Sequence, residues 1–593
     1  MPTINVLLYT ILKKFLFNSY CITIVSDAPI DLHLNSLFTY IIPNRTVDEL
    51  RDQLLEVSER GCSDYIVNMV DQVLFMTAFD KVSKIGNIRR SDRKVILIPA
   101  PGNQSVDAVF SMKEINNIAN LLMIIPNNAS EQECQEIYDL VTHKFEGPDE
   151  LVYELIKQPI LLDQWDTCKG EFKENANLFP HNMNNLFGKT VKVATFTYKP
   201  YVLLNVDTAI TPTGRDGLEM RIVEEFCRWV NCSIQILDEW QGQWGEVYEN
   251  GTGVGIMGSV VEDKADFGMG ALYSWYEEFL HLDFSAAEIR SAVTCVAPSP
   301  RVLASWAMPL LPFTWNMWYA VLMTLLFASL GLSMAKGSFD GTLITVFGVM
   351  ISQSQKSAER NWRVRRVTGW LLAAGLILVS AYGAGLASTF TVTNYEPSVD
   401  TIQDLVDRKM EWGATHDAWI FSITMSNEPL IKQLVSQFKI HSAEELKRKS
   451  FKRSMAFSIE KLPAGYFAIG DYLTQEALED YTLMLEDFYY EQCVVMMRKS
   501  SPYTEKMSAL IGRLHQSGLL LTWETQVALK YLNFKVQQEV KLSRLRSDVG
   551  FKPLDLHNVV GIFILYGIGV VLSILIFMVE NASTKKSGLR IEE

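Results

Sequence analysis

Polar side chains interrupt one apolar stretch of this 593-residue chain in a pattern that could serve ion conduction. Residues 339–355, FDGTLITVFGVMISQSQ, begin apolar and end in alternating Ser and Gln. Irregular backbone at membrane depth is tolerated only where it lines water or is buried in protein, and hydroxyl and amide groups suit a narrow aqueous pore. We therefore predict that Ser352, Gln353 and Gln355 line a pore.

Three apolar segments are long enough to position such a pore in a bilayer, which about 20 apolar residues span. They are residues 315–334, 367–388 and 559–579. Lys and Arg cluster between the first two segments and after the third (Lys336, Lys356, Arg360, Arg363, Arg365, Arg366; Lys585, Lys586, Arg590). Positive charge marks the cytoplasmic side, so both flanks of 339–355 are cytosolic. This predicts a re-entrant pore loop, with an interfacial amphipathic helix as the alternative.

Small residues fill the end of the second span, SAYGAGLASTF, residues 380–390. Such residues let helices approach closely, which predicts a crossing at the outer mouth of an oligomeric pore. The same topology puts residues 1 to about 314 and about 390 to 557 outside the cell. Five glycosylation sequons lie there, at Asn44, Asn103, Asn128, Asn231 and Asn250. A sixth, at Asn581, falls inside and is expected to stay unmodified.

Other chemistry has little support in the sequence. Gly253-x-Gly255-x-x-Gly258 matches a dinucleotide-binding pattern, but a sequon sits in the same loop, and a structural glycine turn is favoured. The eight cysteines show no zinc-ligand spacing; their pairing is left open. The net charge of −14 argues against a nucleic-acid surface. We expect no metal site and no cofactor.

The predicted outer parts are α/β. Strands are expected at 21–25, 94–100, 120–126, 189–198 and 233–237. Capping boxes at 46–49 and 130–133 open helices. A 3-4 apolar repeat predicts a helix after Asp216, and SPYTEKMSALIGRLHQSGLL predicts one that ends at Gly518. Neither outer part looks closed alone, so together they suggest one bilobed domain split by the pore unit.

Over residues 188–580 the chain resembles the ionotropic glutamate receptor family, specifically its divergent insect branch, the ionotropic receptors. The motifs, in order, are KPYV (199–202), DGLEMRIVEEFCRWVN (216–231), EDKADFGMGAL (262–272), HLDFS (281–285), AYGAGLA (381–387) and SPYTEKMSALIGRLHQSGLL (501–520). The resemblance implies a periplasmic-binding-protein-like clamshell, and an all-α membrane domain of three transmembrane helices and a re-entrant loop. It also implies a tetrameric cation channel opened by clamshell closure on a ligand.

The resemblance further implies a ligand site that has changed. The position of the family's carboxylate-binding arginine falls on Glu278, and the preceding threonine position on Tyr273. Trp419 lies in the region of the second-lobe Ser-Thr pair, Asp471 at the acid that meets the ligand amine, and Tyr201 at the stacking aromatic. These residues disfavour glutamate and favour a small cationic amine.

The pore motifs depart from the family as well. The selectivity position falls near Ser352 or Gln353, without a charged group, and Gly383 and Gly385 replace the gate's Thr and Asn. The remaining gate residues are Tyr382, Ala384, Leu386 and Ala387. Monovalent cations are the expected permeant ions; calcium permeability is left open.

The predicted domains are a reduced α/β amino-terminal domain (1–185), ligand-binding segments (186–305 and 391–555), a channel domain (306–390), a last transmembrane helix (556–580) and a cytoplasmic tail (581–593). The short amino-terminal domain implies a tuning subunit that forms a heterotetramer with co-receptor subunits. Its expected place is the plasma membrane of sensory-neuron dendrites or cilia, in contact with membrane lipid and a small-molecule ligand. A thermo- or hygrosensory subunit and a non-conducting decoy are the alternatives. An enzyme is not expected, and three spans are too few for a repeat-built transporter.

Overall fold

The computed structural model describes residues 2–27, 30, 37–43, 46–99, 103–127, 137–148, 159–301, 307–354, 361–391, 395–545 and 556–588. The chain divides into two compact units. One is Met1–Pro298 with Asp400–Ser543, and the other is Ser299–Val399 with Arg544–Glu593. The first unit contains all the described strands, and the second contains the long apolar helices.

An eight-stranded sheet, in the order β2-β1-β3-β4-β5-β6-β7-β8, forms the amino-terminal region. Its strands are β1 Cys21–Ser26, β2 Leu37–Ile41, β3 Asp64–Asn68, β4 Lys94–Leu97, β5 Asn120–Asn127, β6 Ile137–Thr142, β7 Ile160–Asp166 and β8 Glu171–Phe172. The first five strands are parallel, and β6 to β8 are antiparallel. The strands predicted at 21–25, 94–100 and 120–126 are confirmed as β1, β4 and β5. Strands buried on both faces need continuous apolar runs, which is why the sequence revealed them.

Helices cover both faces of this sheet. They are α1 Pro2–Phe15, α2 Val47–Glu59, α3 Gln72–Ile85 and α4 Asn103–Phe110. Leu7, Leu8 and Ile11 of α1 are buried in the core on one face, whereas α2 and α3 pack on the other. Thr46 is the N-cap residue of α2, but its hydroxyl donates to the Glu49 carboxylate (2.8 Å) and accepts no capping hydrogen bond from a backbone N–H. The second predicted capping box, 130–133, lies outside the described residues.

Two more sheets form the lobes of a clamshell. The first-lobe sheet has the order β10-β9-β13-β22-β14, and the second-lobe sheet has the order β17-β16-β18-β15-β20, with β19 on β18 and β21 on β15. The strands are β9 Thr190–Thr195, β10 Ser233–Asp238, β11 Glu246–Val247, β12 Gly253–Val254, β13 Phe267–Gly268, β14 Leu282–Phe284, β15 Arg290–Pro298, β16 Trp412–Ala414, β17 Phe438–Ile440, β18 Ala456–Lys461, β19 Phe467–Ala468, β20 Tyr481–Leu483, β21 Tyr489–Gln492 and β22 Met496–Arg498. β11 and β12 pair separately.

The two lobes exchange strands. β15 comes from the segment before the membrane helices, yet it pairs with β18 in the second-lobe sheet. β22 comes from the later segment, yet it joins β13 and β14 in the first lobe. The chain therefore passes between the lobes twice, and neither segment can complete its sheet alone.

Two of the helices of the lobes were predicted, the one after Asp216 and the one that ends at Gly518. The described helices of the lobes are α5 Leu218–Val230, α6 Gly255–Val261, α7 Tyr276–Phe279, α11 Ile402–Asp407, α12 Phe421–Thr424, α13 Pro429–Ser436, α14 Ala443–Lys452, α15 Gln475–Leu478, α16 Thr504–Ser517, α17 Leu519–Tyr531 and α18 Phe534–Leu542. The predicted helix after Asp216 is α5, with Gly217 at its N-cap position. The predicted stop at Gly518 is confirmed, because this residue ends α16 in the left-handed conformation that glycine favours.

The glycine-rich stretch before α6 packs backbone against backbone. A Cβ on Gly253 would lie 2.8 Å from the Gly258 Cα, and a Cβ on Gly258 would lie 2.2 Å from the Gly253 carbonyl carbon. Gly255 has φ +65°. The glycines are thus used for close approach within the protein, which agrees with the predicted structural turn and not with a phosphate loop.

Within the residues that the structure describes, the second unit contains three helices long and apolar enough to span a membrane, as predicted. They are α8 Trp315–Lys336, α10 Trp362–Thr391 and α19 Leu556–Gly588, and a short helix, α9 Thr342–Met350, lies between the first two. Val346 and Met350 of α9 pack with Leu332 of α8 and Val364 of α10. After α9, Ser352 has φ +60°, and the Gln353 N–H donates to the Gly348 carbonyl (2.7 Å). A short helix followed by a tight turn is the geometry that a re-entrant loop requires, but re-entry itself stays a prediction.

Candidate functional site

A buried carboxylate lies where the two lobes meet. Glu460, near the end of β18 in the second lobe, is 3% exposed. The Tyr198 hydroxyl donates to its Oε1 (2.8 Å) and the Tyr201 hydroxyl to its Oε2 (2.6 Å). Both tyrosines follow β9 of the first lobe, so these two hydrogen bonds join the lobes through one carboxylate.

The turn that carries the two tyrosines is held by its own backbone. Tyr198 and Val202 exchange both N–H···O bonds (2.9 Å each), and the two tyrosine rings stack with centroids 5.6 Å apart. Gly217, with φ +129°, closes against this turn, since a Cβ there would lie 2.3 Å from the Tyr201 carbonyl oxygen. The glycine before α5 therefore fixes where Tyr201 stands.

Further hydroxyls extend the network around the carboxylate. Ser291 on β15 donates to Glu460 Oε2 (3.3 Å), and the Tyr273 hydroxyl donates to Ser291 Oγ (3.3 Å). Burial raises the pKa of Glu460, while the hydrogen bonds from Tyr201, Tyr198, Tyr273 and Ser291 act in the opposite direction. No Lys, Arg or His side chain in the described ranges lies within ion-pair distance of Glu460. Among the described residues, the Glu460 carboxylate is therefore stabilised only by hydrogen bonds from uncharged hydroxyl groups.

Aromatic side chains wall the space beside Glu460. The cavity between the lobes has a volume of about 10 Å³ for the centre of a water-sized molecule. It is lined by Trp244, Ala271, Tyr273, Trp275, Ala418, Trp419 and Glu460. Trp275 reaches across the lobes, where its indole N–H donates to Ser422 Oγ (3.1 Å). The cleft is tight, so a ligand larger than water must change the separation of the lobes to enter.

Only part of the predicted ligand set meets in this cavity. Tyr273 and Trp419 line it, and Tyr201 contacts its carboxylate. Asp471 does not line it: its side chain is 82% exposed, and it accepts from the Lys199 ammonium (3.0 Å). Glu278, in α7, is buried but does not line the cavity; burial raises its pKa.

The sequence did not predict the acid or four of the other residues that line the cavity. They are Glu460, Trp244, Ala271, Trp275 and Ala418. A signal for Glu460 was present, because it follows the apolar run AFSI of a buried strand. A charged residue in such a position needs partners, and the sequence did not show which residues would provide them.

The predicted pore and gate residues lie in the second unit. Ser352 and Gln353 are exposed after α9, while Gln355 lies outside the described residues. Tyr382 in α10 donates its hydroxyl to the Pro309 carbonyl (2.9 Å). Ala384, Leu386 and Ala387 are in the same helix: Leu386 is half-buried, and the two alanines are exposed. A Cβ on Gly385 would lie 3.1 Å from Pro312 Cβ, whereas one on Gly383 would meet nothing within 4 Å. Gly385 thus allows close packing against Pro312, whereas the surface of α10 at Gly383 is uncovered in the described structure.

The predicted glycosylation sequons lie in different parts of the structure. Asn231 and Asn250 are exposed, at the end of α5 and in the loop before β12. Asn103 is the first residue of α4, and Asn44 and Asn128 lie outside the described residues. The disulfides in the described part of the chain are Cys21–Cys62 and Cys227–Cys232; the sequence alone left their pairing open.

Two further carboxyl groups are buried near the cleft. Glu219 of α5 accepts from the Ala271 N–H (2.8 Å) through Oε1, and its Oε2 has no partner among the described residues. Neither oxygen of Glu288 has a partner there. Burial raises the pKa of Glu219 from 4.5 to about 8, and burial together with the nearby Glu219 raises that of Glu288 well above its usual value. Burial therefore favours the neutral form of both groups.

Replacing Glu219 by Gln is expected to reduce the pH dependence of stability. Between the unfolded pKa of 4.5 and the folded value of about 8, the folded protein binds more protons than the unfolded chain. The free energy of unfolding therefore falls as pH rises through this window, by several kcal/mol at most. The melting temperature of the purified protein, measured from pH 5 to pH 8, should decline less in Glu219→Gln. An exposed control, Glu249→Gln, should keep the wild-type slope, and equal slopes in all three proteins would contradict this assignment.

Comparisons with known proteins agree with this architecture. Residues 314–570 match a family model described as a ligand-gated ion channel. The chain is 23% identical over 581 residues to the delta-2 ionotropic glutamate receptor of Danio rerio, covering 91% of this chain and 54% of that protein. It is 22% identical over 427 residues to Ionotropic receptor 21a of Anopheles gambiae, covering 67% and 41%. The chain thus spans about half the length of the relatives it matches. The clamshell lobes, the three apolar helices of the described residues and the channel-family match together make this chain similar to the ligand-gated ion channels, ionotropic receptors among them.

Proposed function

We propose that this chain is a chemosensory subunit of a cation channel that is opened by a small cationic amine. The observation that carries the proposal is Glu460: a buried carboxylate without a cationic partner in the described structure, beside aromatic walls. An isolated buried carboxylate is unfavourable, whereas an ammonium group next to it gains both an ion pair and cation–π contacts. A cationic ligand would supply the missing charge.

The same geometry links binding to lobe movement. Tyr198 and Tyr201 come from one lobe and Glu460 from the other, and the cavity between them holds little more than a water-sized group. A ligand head group that inserts there must displace the lobes and then make contacts with both. Differential contacts of this kind are what a ligand needs in order to shift a two-state equilibrium. The lobes would separate to admit the ligand and then close on it, and this second movement would open the pore.

The pore would be formed by several subunits. Ser352, Gln353 and Gln355 are proposed to line it through the re-entrant loop 339–355. Tyr382, Ala384, Leu386 and Ala387 are proposed to form the gate, with the open face at Gly383 available to another copy. We further propose a heterotetramer with a co-receptor subunit, in the plasma membrane of sensory-neuron dendrites or cilia, that conducts monovalent cations.

The test is a current measurement with matched ligands. The chain is expressed with a candidate co-receptor subunit, and each primary amine is compared with its neutral N-acetyl derivative and with an acid of similar size. Amines should evoke currents, and their neutral derivatives and the acids should not. Equal responses to an amine and its N-acetyl derivative, or responses to acids alone, would reject an amine ligand. Absence of any current, with the pore properties of the partner unchanged, would indicate a decoy subunit.

A further inference from the structure

A cluster of arginines joins the amino-terminal region to the first ligand-binding lobe. Arg90 and Arg93 follow α3, and Arg498 ends β22 of the lobe. Arg498 lies between Asp80 of α3 (2.8 Å) and Asp263 of the lobe (2.8 Å). Lys84 of α3 pairs with Asp263 as well (2.6 Å). The contact is thus ionic and spans two regions that are far apart in sequence.

The three arginines share a small cavity, which we name the arginine cavity. Its polar lining includes Arg90, Arg93, Arg498, Asp80, Asn117 and Ser500. The volume is about 20 Å³ for the centre of a water-sized molecule. About 10–15 Å³ on this measure admits one water, so a single small ion or one or two waters fit, and an organic anion does not.

Arg93 brings a charge that is not neutralised. Its side chain is buried, 6% exposed, and donates to Ser83 Oγ (2.9 Å), the Ile88 carbonyl (3.1 Å) and Ser58 Oγ (3.4 Å). These acceptors are all neutral. Its Nε has no partner, and within the described part of the chain no carboxylate lies at ion-pair distance from it. A buried cation in this state is unfavourable unless an anion accompanies it.

The charged groups around Arg93 do not compensate its positive charge. Arg90 is held by both oxygens of Asp92 (2.9 and 3.0 Å). Arg498 and Lys84 share Asp80 and Asp263. Among the described residues that line the cavity or form ion pairs with its lining, four are cations (Lys84, Arg90, Arg93, Arg498) and three are carboxylates (Asp80, Asp92, Asp263), a surplus of one positive charge. Asp64 and Glu505 also attract Arg90 electrostatically, but neither lines the cavity nor pairs with Arg93. Asp283 nearby is already paired with Arg89 (3.1 Å) and the Ser500 N–H (2.7 Å).

We propose that the arginine cavity binds one chloride ion, or another monovalent anion of similar size, between the amino-terminal region and the first lobe. The ion neutralises the surplus charge of Arg93. The Ser500 hydroxyl, which lines the cavity and has no partner among the described residues, is free to donate to it. The Asp80 carboxylate also lines the cavity and repels an anion, but Arg498 pairs with it. The bound ion would tie the two regions together.

The test measures thermal stability of the purified full-length protein in sodium chloride and in sodium gluconate at equal ionic strength, because gluconate is too large for the cavity. The wild-type melting temperature should be about 3 °C or more higher in chloride, and the gain should saturate with chloride concentration. Arg93→Met should lose this difference. Arg228→Met is the matched control: it removes an exposed arginine that pairs with Glu225 on its own helix, and it should keep the difference.

A second variant guards against simple misfolding of Arg93→Met. Asn117→Asp is isosteric and places a carboxylate in the wall of the cavity, so the chloride-dependent gain should shrink or vanish. Equal wild-type stability in the two salts would mean that water fills the cavity, which overturns the proposal. A chloride-dependent gain that persists in both Arg93→Met and Asn117→Asp would place the anion elsewhere and would overturn it equally.

Discussion

Replacing Glu460 by Gln is expected to lower the affinity for a cationic amine about 100-fold, because truncating one partner of a buried, hydrogen-bonded charge pair costs about 2–5 kcal/mol. Glutamine has nearly the shape of glutamate: its amide oxygen can still accept from one of the two tyrosines, and its amide nitrogen can donate to the hydroxyl oxygen of the other. The change therefore removes charge with little loss of packing. The amine concentration for half-maximal current reports the effect. Tryptophan fluorescence of the purified protein offers a second readout, because Trp244, Trp275 and Trp419 line the same cavity.

Asp471→Asn is the matched control for this prediction. Asp471 carries the same charge on the same lobe, but its side chain is 82% exposed and pairs with Lys199. Exposed ion pairs contribute about 0–1 kcal/mol, so amine affinity should change by no more than about 5-fold. The reverse outcome is a large loss of amine affinity in Asp471→Asn and a small loss in Glu460→Gln. It would mean that Asp471, the residue that the sequence resemblance indicated, is the acid that binds the ligand.

Acidic solution should imitate the Glu460→Gln variant. Burial raises the pKa of Glu460, so the carboxylate is neutralised at a higher pH than an exposed glutamate. Amine affinity of the wild-type protein should therefore weaken as pH falls through that raised pKa. Glu460→Gln should respond less to the same change in pH, which separates titration of Glu460 from other effects of acid.

Replacing Gly375 by Ala is expected to disrupt the packing of the second unit, which contains the long apolar helices and is called the membrane unit below. A Cβ on Gly375 would lie 2.7 Å from the Val349 carbonyl oxygen and 3.2 Å from Met350 Cα, at the end of α9. The obstacle is backbone, so α9 or α10 must shift as a whole. Overpacking of this kind costs about 1–3 kcal/mol. We expect a lower melting temperature in detergent and a clear loss of protein at the cell surface.

Gly369→Ala provides the control for Gly375→Ala. Both glycines are in α10, and both changes raise helix propensity to the same extent, but a Cβ on Gly369 would meet nothing within 4 Å. Its stability and surface level should equal or exceed those of the wild type. If both variants behave alike, the close approach of α9 and α10 at Gly375 does not limit the stability of the membrane unit.

Local patterns in the sequence were sufficient for the individual elements. Three long apolar runs gave the spanning helices, the 3-4 repeat after Asp216 gave α5, and Gly518 marked the end of α16. Apolar runs gave β1, β4 and β5. Each of these features depends on the hydrophobicity and conformational preferences of residues close together in the chain, and that information is present without tertiary contacts.

The tertiary structure alone decided which elements meet. Nothing in the sequence of β15 or β22 indicates that each joins the sheet of the opposite lobe, and this exchange is what brings Ser291 beside Glu460. The sequence also does not indicate that Glu460, and not Asp471, is the buried acid of the cleft. It does not indicate that Arg93 and Arg498 line one cavity. The burial of a charged side chain depends on partners hundreds of residues away, and periodicity along the chain carries no information about them. Local sequence is therefore enough to predict the single elements and the long apolar helices. The buried acid, the aromatic residues beside it and the surplus charge depend on packing between residues far apart in the chain.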